Sequence, residues 1–410
     1  MKRRLHFNLC KSIKVQWPDS YWMSAKEKEA ELRSIVEAAK KLLRQNRRTV
    51  SGNTFTIPSP HEYRHQWLWD SCFHAIVLRH FDAAAAEKEL ISLMASQRKN
   101  GMVPHESKYA LLGIELPYTS RITQPALIAR AALEVYEKSG NRAFLAAIFP
   151  KLQFYHRWLE VKRETEENVL KVVAPDESGE DNSVLWDDEY LLPIHLTYIR
   201  WLTTYVPFYP QLAAISSVKA TAIYADALDC MAQLAAALGE KRLSRSYKDK
   251  NKAVVAAMAK TFRQKDGIYY SQTHRCKPIL YKANSIFSPM FAGALSKKEA
   301  KSLVEEHLLN KKEFWTEYPV PSVAINEPKF SARGYWRGPT WVNINWIIYR
   351  GLLRYGLKDV AGMLLQKTTA VIKKSGFREY YNPLTGDGLG AKDFGWSTLI
   401  VDMIKSGEWR

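Results

Sequence analysis

No run of about 18 apolar residues occurs in this 410-residue chain, so no segment reads as a bilayer-crossing helix. Residues 5–22 are likewise too poor in apolar side chains for a secretory leader. Cysteine is scarce. Cys10, Cys72, Cys230 and Cys276 form no Cys-x-x-Cys pair and match no zinc spacing. They read as buried or reduced thiols, which places the expected compartment in the cytoplasm. No Pro/Gly/Ser-rich linker or low-complexity tract divides the chain, which argues for one large domain despite the length. No fixed-period repeat is present, which argues against a solenoid.

Acidic residues are the scarcer charge, 42 against 60 basic ones, a net +18. Such a balance invites a polyanionic partner. The basic residues are dispersed, however. Their densest groups, Lys40 to Arg48 and Lys241 to Lys252, fall on amphipathic helical patterns and read as solvated faces. No helix-turn-helix, zinc-finger or aromatic–basic strand motif accompanies them, so neither nucleic acid nor membrane is the expected partner. Homo-oligomerisation is left open.

What the chain has in quantity is helical periodicity. Apolar residues recur at three- and four-residue spacing over 25–45, 69–82, 84–99, 122–139, 142–163, 190–206, 215–238, 242–263, 296–309, 340–355, 357–374 and 395–405. Strand signals are confined to 54–57 and 268–271. About a dozen helices joined by alternating short and long connections suggest paired helices closing into a double-layered ring, with a plain bundle as the alternative. The long connections, 51–67, 100–121, 171–189, 264–290, 312–339 and 376–396, are where function is expected.

Two of them hold paired acids beside turn-forming residues: Asp176-Glu177-Ser178-Gly179-Glu180-Asp181-Asn182, and Phe377-Arg378-Glu379-Tyr380-Tyr381-Asn382-Pro383. Both read as loops. Carboxylates on two loops are what glycosidic hydrolysis needs, one acid for the leaving oxygen and one base for water; two solvated turns are the plainer reading. Three aromatic helix entrances keep them company. Trp67-Leu68-Trp69-Asp70 puts two Trp on different helix faces, so a helix begins between or after them, with Asp70 as cap or as cavity group. Gln124 stands beside Pro125 at a second entrance, where Thr123 could be a simple cap. Tyr335-Trp336-Arg337-Gly338-Pro339-Thr340-Trp341 makes a rigid aromatic wall with a polar handle.

Taken with Tyr63, Ser183 and the stretch through Gly388-Leu389-Gly390 to Phe394-Gly395-Trp396-Ser397, these segments resemble glycoside hydrolase family 63, and within it the single-domain mannosylglycerate and glucosylglycerate hydrolases. The resemblance implies an all-α (α/α)6 barrel and an inverting mechanism, with no metal or other cofactor in the catalysis. It implies residues 1–50 as an N-terminal arm with the first helix, and 51–410 as the catalytic barrel with insertions near 100–121, 171–189 and 312–339. It places the general acid at Asp181 and the general base at Glu379. It puts Tyr63, Trp67, Trp69, Asp70, Gln124, Gly179, Tyr335, Trp336, Arg337, Trp341 and Trp396 around a small carbohydrate substrate.

On chemical grounds Asp181 must stay protonated, with Asp176, Glu177, Glu180 and Asp187 as nearby like charges. Glu379 must ionise, with Arg378, Lys373 and Lys374 as nearby cations. The chain departs from the family at Asp176, where those hydrolases usually carry Trp, and at Val184, where they carry Pro. It also lacks their glycerate-gripping Arg-Pro segment between Tyr190 and Asp226, for which Arg200, Lys219 or Arg333 are candidate substitutes. The expected activity is hydrolysis of a small α-glucoside or α-mannoside, a glycosylglycerate or a short α-gluco-oligosaccharide. A trehalase- or glucoamylase-like enzyme and a non-catalytic sugar-binding barrel are the alternatives.

Overall fold

Two burial patterns alternate along the chain. Residues Val218–Leu238 are buried at nearly every position, whereas Lys241–Phe262, which follows directly, buries only Ser244, Val254, Ala257, Met258 and Phe262. A helix apolar all round must be enclosed by others, while one with a single stripe covers a core and turns its charges to water. The basic run from Lys241 to Lys252 occupies that outer face, which accounts for part of the positive charge as solvated surface.

The computed structural model describes residues 25–108, 118–187 and 214–406. The helix expected over 190–206 lies outside the described residues, as do Cys10 and Arg200. Of the remaining cysteines, Cys72 and Cys230 are buried and Cys276 is exposed, all three as free thiols.

The helices are α1 (Ala25–Asn46), α2 (Leu68–Leu78), α3 (Ala83–Ala95), α4 (Ile128–Ser139), α5 (Arg142–Lys162), α6 (Val218–Leu238), α7 (Lys241–Phe262), α8 (Ser288–Ala292), α9 (Lys297–Leu303), α10 (Val342–Arg354), α11 (Lys358–Ser375) and α12 (Ile400–Ser406). Packing runs from α2 to α4, α6, α8, α10 and the 3-10 turn Gly395–Leu399 that leads into α12, and from that turn back to α2. This closed inner ring is backed by α1, α3, α5, α7, α9 and α11. The result is the expected (α/α)6 barrel.

Local chemistry fixes the hairpins. Gly140 ends α4 in the left-handed region, and Asn141 caps α5 by accepting from the Ala143 and Phe144 N–H groups. Ser296 and Glu299 form a capping box on α9. The five-residue α8 is the inner helix that periodicity missed. It is too short for a 3.6-residue pattern and begins at Ser288-Pro289, at the end of the stretch 264–290 expected to be a connection.

The N-terminal ends of the inner helices are laced together by short antiparallel pairings. Strands β1 (Gln66–Trp67), β2 (Glu106–Lys108) and β3 (Tyr118–Thr119) form one sheet, and β4 (Arg378–Tyr381) pairs with β5 (Gly388–Lys392) in another. Thr340, at the entrance to α10, exchanges backbone hydrogen bonds with Tyr381 at 2.8 and 2.9 Å. The segment around Glu379, expected as a loop, is therefore a strand with alternating burial. Of the two expected strand regions, the first forms as Asn53–Thr56, and the second contributes the strand Gln272–Thr273 just beyond its expected limit.

The opposite end of the barrel is closed by charge. Asp402 in α12 accepts from Arg79, His80 and the Trp346 indole at 2.8, 2.8 and 2.7 Å. Arg79 also meets Glu134 of α4 at 2.8 Å, and Arg350 of α10 meets Glu134 at 2.7 Å. Arg130 of α4 grips Asp226 of α6, and Arg354 of α10 reaches both Asp226 and the Phe291 carbonyl of α8. Every inner helix contributes to this cluster. Burial alone would raise the Asp402 carboxyl; His80, Arg79 and Arg350 overturn that and hold it well below the usual carboxylate range.

Asp402→Ala removes the buried partner of His80 and of the Trp346 indole and one of the two acids that hold Arg79 and Arg350, and is expected to cost about 3–5 kcal/mol. Thermal denaturation measures it. The wild-type advantage should shrink as the pH falls below about 4, because a depressed carboxyl contributes stability only above its unfolded pKa.

Candidate active site

The first turn of α2 begins at Leu68, between the two tryptophans, with Trp67 in extended conformation before it. Trp67, Trp69 and Asp70 consequently all face the N-terminal end of the barrel, where they line a cavity of about 330 Å³. Gln124 joins them, and its side-chain oxygen accepts the Trp69 N–H at 3.2 Å. Thr123 is not a cap: its hydroxyl meets Tyr155 at 2.7 Å, and α4 starts only at Ile128.

The acid loop enters through a single helical turn, Pro175–Ser178, which Gly179 ends at φ +69°. A Cβ on Gly179 would stand 2.6 Å from the Trp69 ring, so the loop can lie against that indole only as glycine. Asp181 is thereby delivered to the cavity. From the other side β4 delivers Glu379. Gly390 in β5 crosses directly over that carboxylate, where any Cβ would collide with Oε2.

The two carboxyls share one hydroxyl. Tyr335 Oη lies 3.3 Å from Glu379 Oε1 and 3.5 Å from Asp181 Oδ2, and Tyr63 donates to Glu379 Oε1 at 3.0 Å. Tyr335 has a left-handed backbone, φ 62°, which costs energy for a non-glycine residue and turns the ring inward. The Ala391 N–H binds the second Glu379 oxygen at 3.0 Å, and the Trp396 indole donates to the Glu379 carbonyl at 2.9 Å. Burial lifts the Glu379 pKa to about 7. The hydrogen bonds from Ala391, Tyr63 and Tyr335 oppose the rise, and the Asp181 charge adds to it. Burial also pushes Asp70 well above the usual carboxylate range, and the Tyr63 and Tyr335 hydroxyls upward, so both phenols remain donors.

Eleven of the thirteen residues singled out from the sequence thus meet on one cavity: Asp181, Glu379, Tyr63, Trp67, Trp69, Asp70, Gln124, Gly179, Tyr335, Trp336 and Trp396. Two stand back from it. Trp341 is fully buried behind Trp336, stacked at 3.6 Å and 2°. Arg337 forks onto Asp187, both bonds 2.8 Å, where Lys329 also binds. His105, Pro58, Phe394 and Asp176 complete the lining. Nothing local marks His105 beyond its position in a long connection, whereas Asp176 sits in the acid loop itself.

The charges expected to tune the two carboxyls are spent elsewhere. Arg378 binds the Gly390 carbonyl at 2.8 Å, Lys373 pairs with Glu31 at 3.0 Å, and Lys374 bonds the Thr385 carbonyl and pairs with Asp387, so none of them serves Glu379. Strand alternation sends Arg378 away from its neighbour's face. Around Asp181, Glu177 is bound by Arg163 at 2.6 Å, Glu180 by Lys219 at 2.8 Å, and Asp187 by Arg337 and Lys329. Among the described residues no metal-holding cluster of His, Cys, Asp and Glu occurs, and no helix is long and apolar enough to cross a membrane.

Gly179→Ala places a methyl group inside the Trp69 ring and strains a positive-φ backbone. The expected result is a loss of about 1–3 kcal/mol in thermal stability with a changed tryptophan fluorescence. An unchanged melting temperature would mean that the loop does not lean on Trp69.

The family model described as the mannosylglycerate hydrolase MGH1-like glycoside hydrolase domain matches residues 63–397. The mannosylglycerate hydrolase of Thermus thermophilus is 31% identical over 86% of this chain and 96% of its own length. The glucosylglycerate hydrolase of Mycolicibacterium hassiacum is 27% identical over 85% and 93%. A crystal structure of the GH63 mannosylglycerate hydrolase from Thermus thermophilus in complex with Tris and D-glycerate superposes with a TM-score of 0.79 at 29% identity, covering 90% of this chain and all of that one. With one closed (α/α)6 barrel and two carboxyls meeting at its open end, the chain belongs to the MGH1-like glycoside hydrolase family and is an inverting glycoside hydrolase.

Proposed function

We propose that this cavity hydrolyses the α-glycosidic bond of a small glucoside or mannoside of the glycosylglycerate type, with Asp181 as general acid and Glu379 as general base. The observation that carries the reading is the shared Tyr335 hydroxyl. Because one hydroxyl reaches both groups, the facing carboxyl oxygens lie no more than about 7 Å apart, close enough to flank a single glycosidic bond. Asp181 gives its proton to the leaving oxygen as the anomeric C–O bond breaks. Glu379 takes a proton from water as that water forms the new C–O bond on the opposite face. Trp69, Trp336 and Trp396 offer apolar faces to sugar C–H groups, while Asp70 and Gln124 offer partners for hydroxyls.

Glycerate as the aglycone is supported by the two relatives above, both named for glycosylglycerates. A second reading, a neutral aglycone such as another glucose unit, is favoured by one feature of the cavity. Four acids line it, Asp70, Asp176, Asp181 and Glu379, and its lining includes no Lys or Arg among the described residues. A carboxylate in the substrate would meet like charge there. Of the candidate substitutes for an anion-binding arginine, Arg333 pairs with Asp387 at 3.4 Å and Lys219 with Glu180.

Proton NMR of the reaction with glucosylglycerate, mannosylglycerate, trehalose, kojibiose, nigerose and maltose decides between these readings. Turnover of the glycerates alone supports the first, and turnover of the disaccharides the second. Release of the β-anomer first is expected from an α-linked substrate. Asp181→Asn and Glu379→Gln are each expected to lower kcat at least a hundredfold; near-wild-type turnover by either would refute that residue's role.

The pH profile follows from Glu379. A base works only when deprotonated, so kcat/KM should fall about tenfold per pH unit below an apparent pKa of about 7. An acid limb near 4.5 would mean that burial does not raise the Glu379 carboxyl in the working enzyme.

A further inference from the structure

Directly beneath the acid loop lies an ion pair that the proposed chemistry does not use. Lys219, in the first turn of α6, and Glu180, the residue before Asp181, approach to 2.8 Å with both side chains buried. The Lys219 ammonium stands 5.6 Å from the centre of the Trp69 ring and 5.5 Å from that of Trp336, two indoles that line the cavity. The Trp69 ring in turn fills the space where a Gly179 side chain would be. One cation therefore touches, through a salt bridge and two cation–π contacts, the acid loop and both neighbouring walls.

Burying such a pair is costly. A well-packed apolar pair in its place is often no less stable, whereas a single charge left alone is strongly destabilising. Stability by itself is thus a poor reason to keep Lys219 and Glu180 under a catalytic loop. The alternative is that the pair fixes a position. Glu180 and Asp181 are adjacent, so any displacement of the Glu180 carboxylate passes straight to the Asp181 backbone, and an acid displaced by about an ångström loses much of its catalytic advantage.

The geometry points to Lys219 as a positioning residue for Asp181: its buried ammonium, clamped between Trp69 and Trp336, holds Glu180 and so sets where the neighbouring carboxyl meets the leaving oxygen. The inference rests on the reading of Asp181 as general acid, and the test separates the two. A glycosyl fluoride releases fluoride with little help from an acid, whereas a glycerate or sugar alkoxide needs the proton.

Lys219→Met keeps the length and removes the charge. It is assayed beside Asp181→Asn on glucosylglycerate, mannosylglycerate, α-D-glucosyl fluoride and α-D-mannosyl fluoride. Lys219→Met is expected to lose about ten- to a hundredfold in kcat on the glycoside that wild type hydrolyses, and no more than about threefold on the matching fluoride. Equal losses on both, or none on either, overturn the positioning role. If Asp181→Asn loses equally on both, the acid assignment itself fails; if Asp181→Asn discriminates and Lys219→Met does not, only the present inference fails. Because Lys219→Met strands a buried carboxylate, the double variant Glu180→Gln/Lys219→Met is measured as well. It should regain melting temperature while keeping the glycoside-selective loss. Wild-type glycoside turnover by the double variant would refute the proposal.

Discussion

The buried charge cluster around Asp402 is the constraint on which the rest of the barrel depends. A closed ring of six inner helices is laced only at one end by short strand pairings, and apolar packing alone permits sliding. Charges just after α2 and on α4, α6, α10 and α12, with the Arg354 bond to α8, tie the inner helices to one another and favour this register. Moving any helix by a turn would strand a charge in the interior, which is far costlier than a lost apolar contact.

Closing one end with ion pairs leaves the other end free for chemistry. There the inner helices begin rather than end, and four of the six beginnings bring cavity residues: Trp69 and Asp70 on α2, Gln124 before α4, Trp336 before α10 and Trp396 before α12. The two carboxyls come from neither ring but from the connections, one on a glycine-terminated turn and one on a strand. Rigid helix ends hold the walls, and short pairings such as Thr340 with Tyr381 hold the acids against them. The raised pKa of Glu379 follows from this enclosure, since the walls that shape the cavity also strip water from that carboxyl.

The positive charge of the chain and the acidity of its cavity are separated by the same architecture. Basic residues occupy the outer face of helices such as α7, while Asp70, Asp176, Asp181 and Glu379 converge inside. Beneath them the buried cations Arg163 and Lys219 each answer one acid of the loop, Glu177 and Glu180, rather than the cavity as a whole.

The sequence by itself determined the helices other than the short α8, their hairpin turns, and most of the segments that line the cavity. Those properties are local: 3.6-residue periodicity, caps such as Asn141, and left-handed glycines such as Gly140 and Gly179 are written within a few neighbouring residues. It also supplied most of the cavity's residues, because aromatic helix entrances and acid-bearing connections stand out from a core pattern. Only the tertiary structure decided which side of each segment faced inward. Trp336 lines the cavity and Trp341 backs it because one stacks upon the other. Arg337 turns to Asp187, and Arg378 turns away from Glu379 because a strand alternates its side chains. His105 carried no local signal at all, and Lys219 carried none that tied it to Glu180. Their surroundings come from residues distant in the chain, and only a closed ring of helices brings those together.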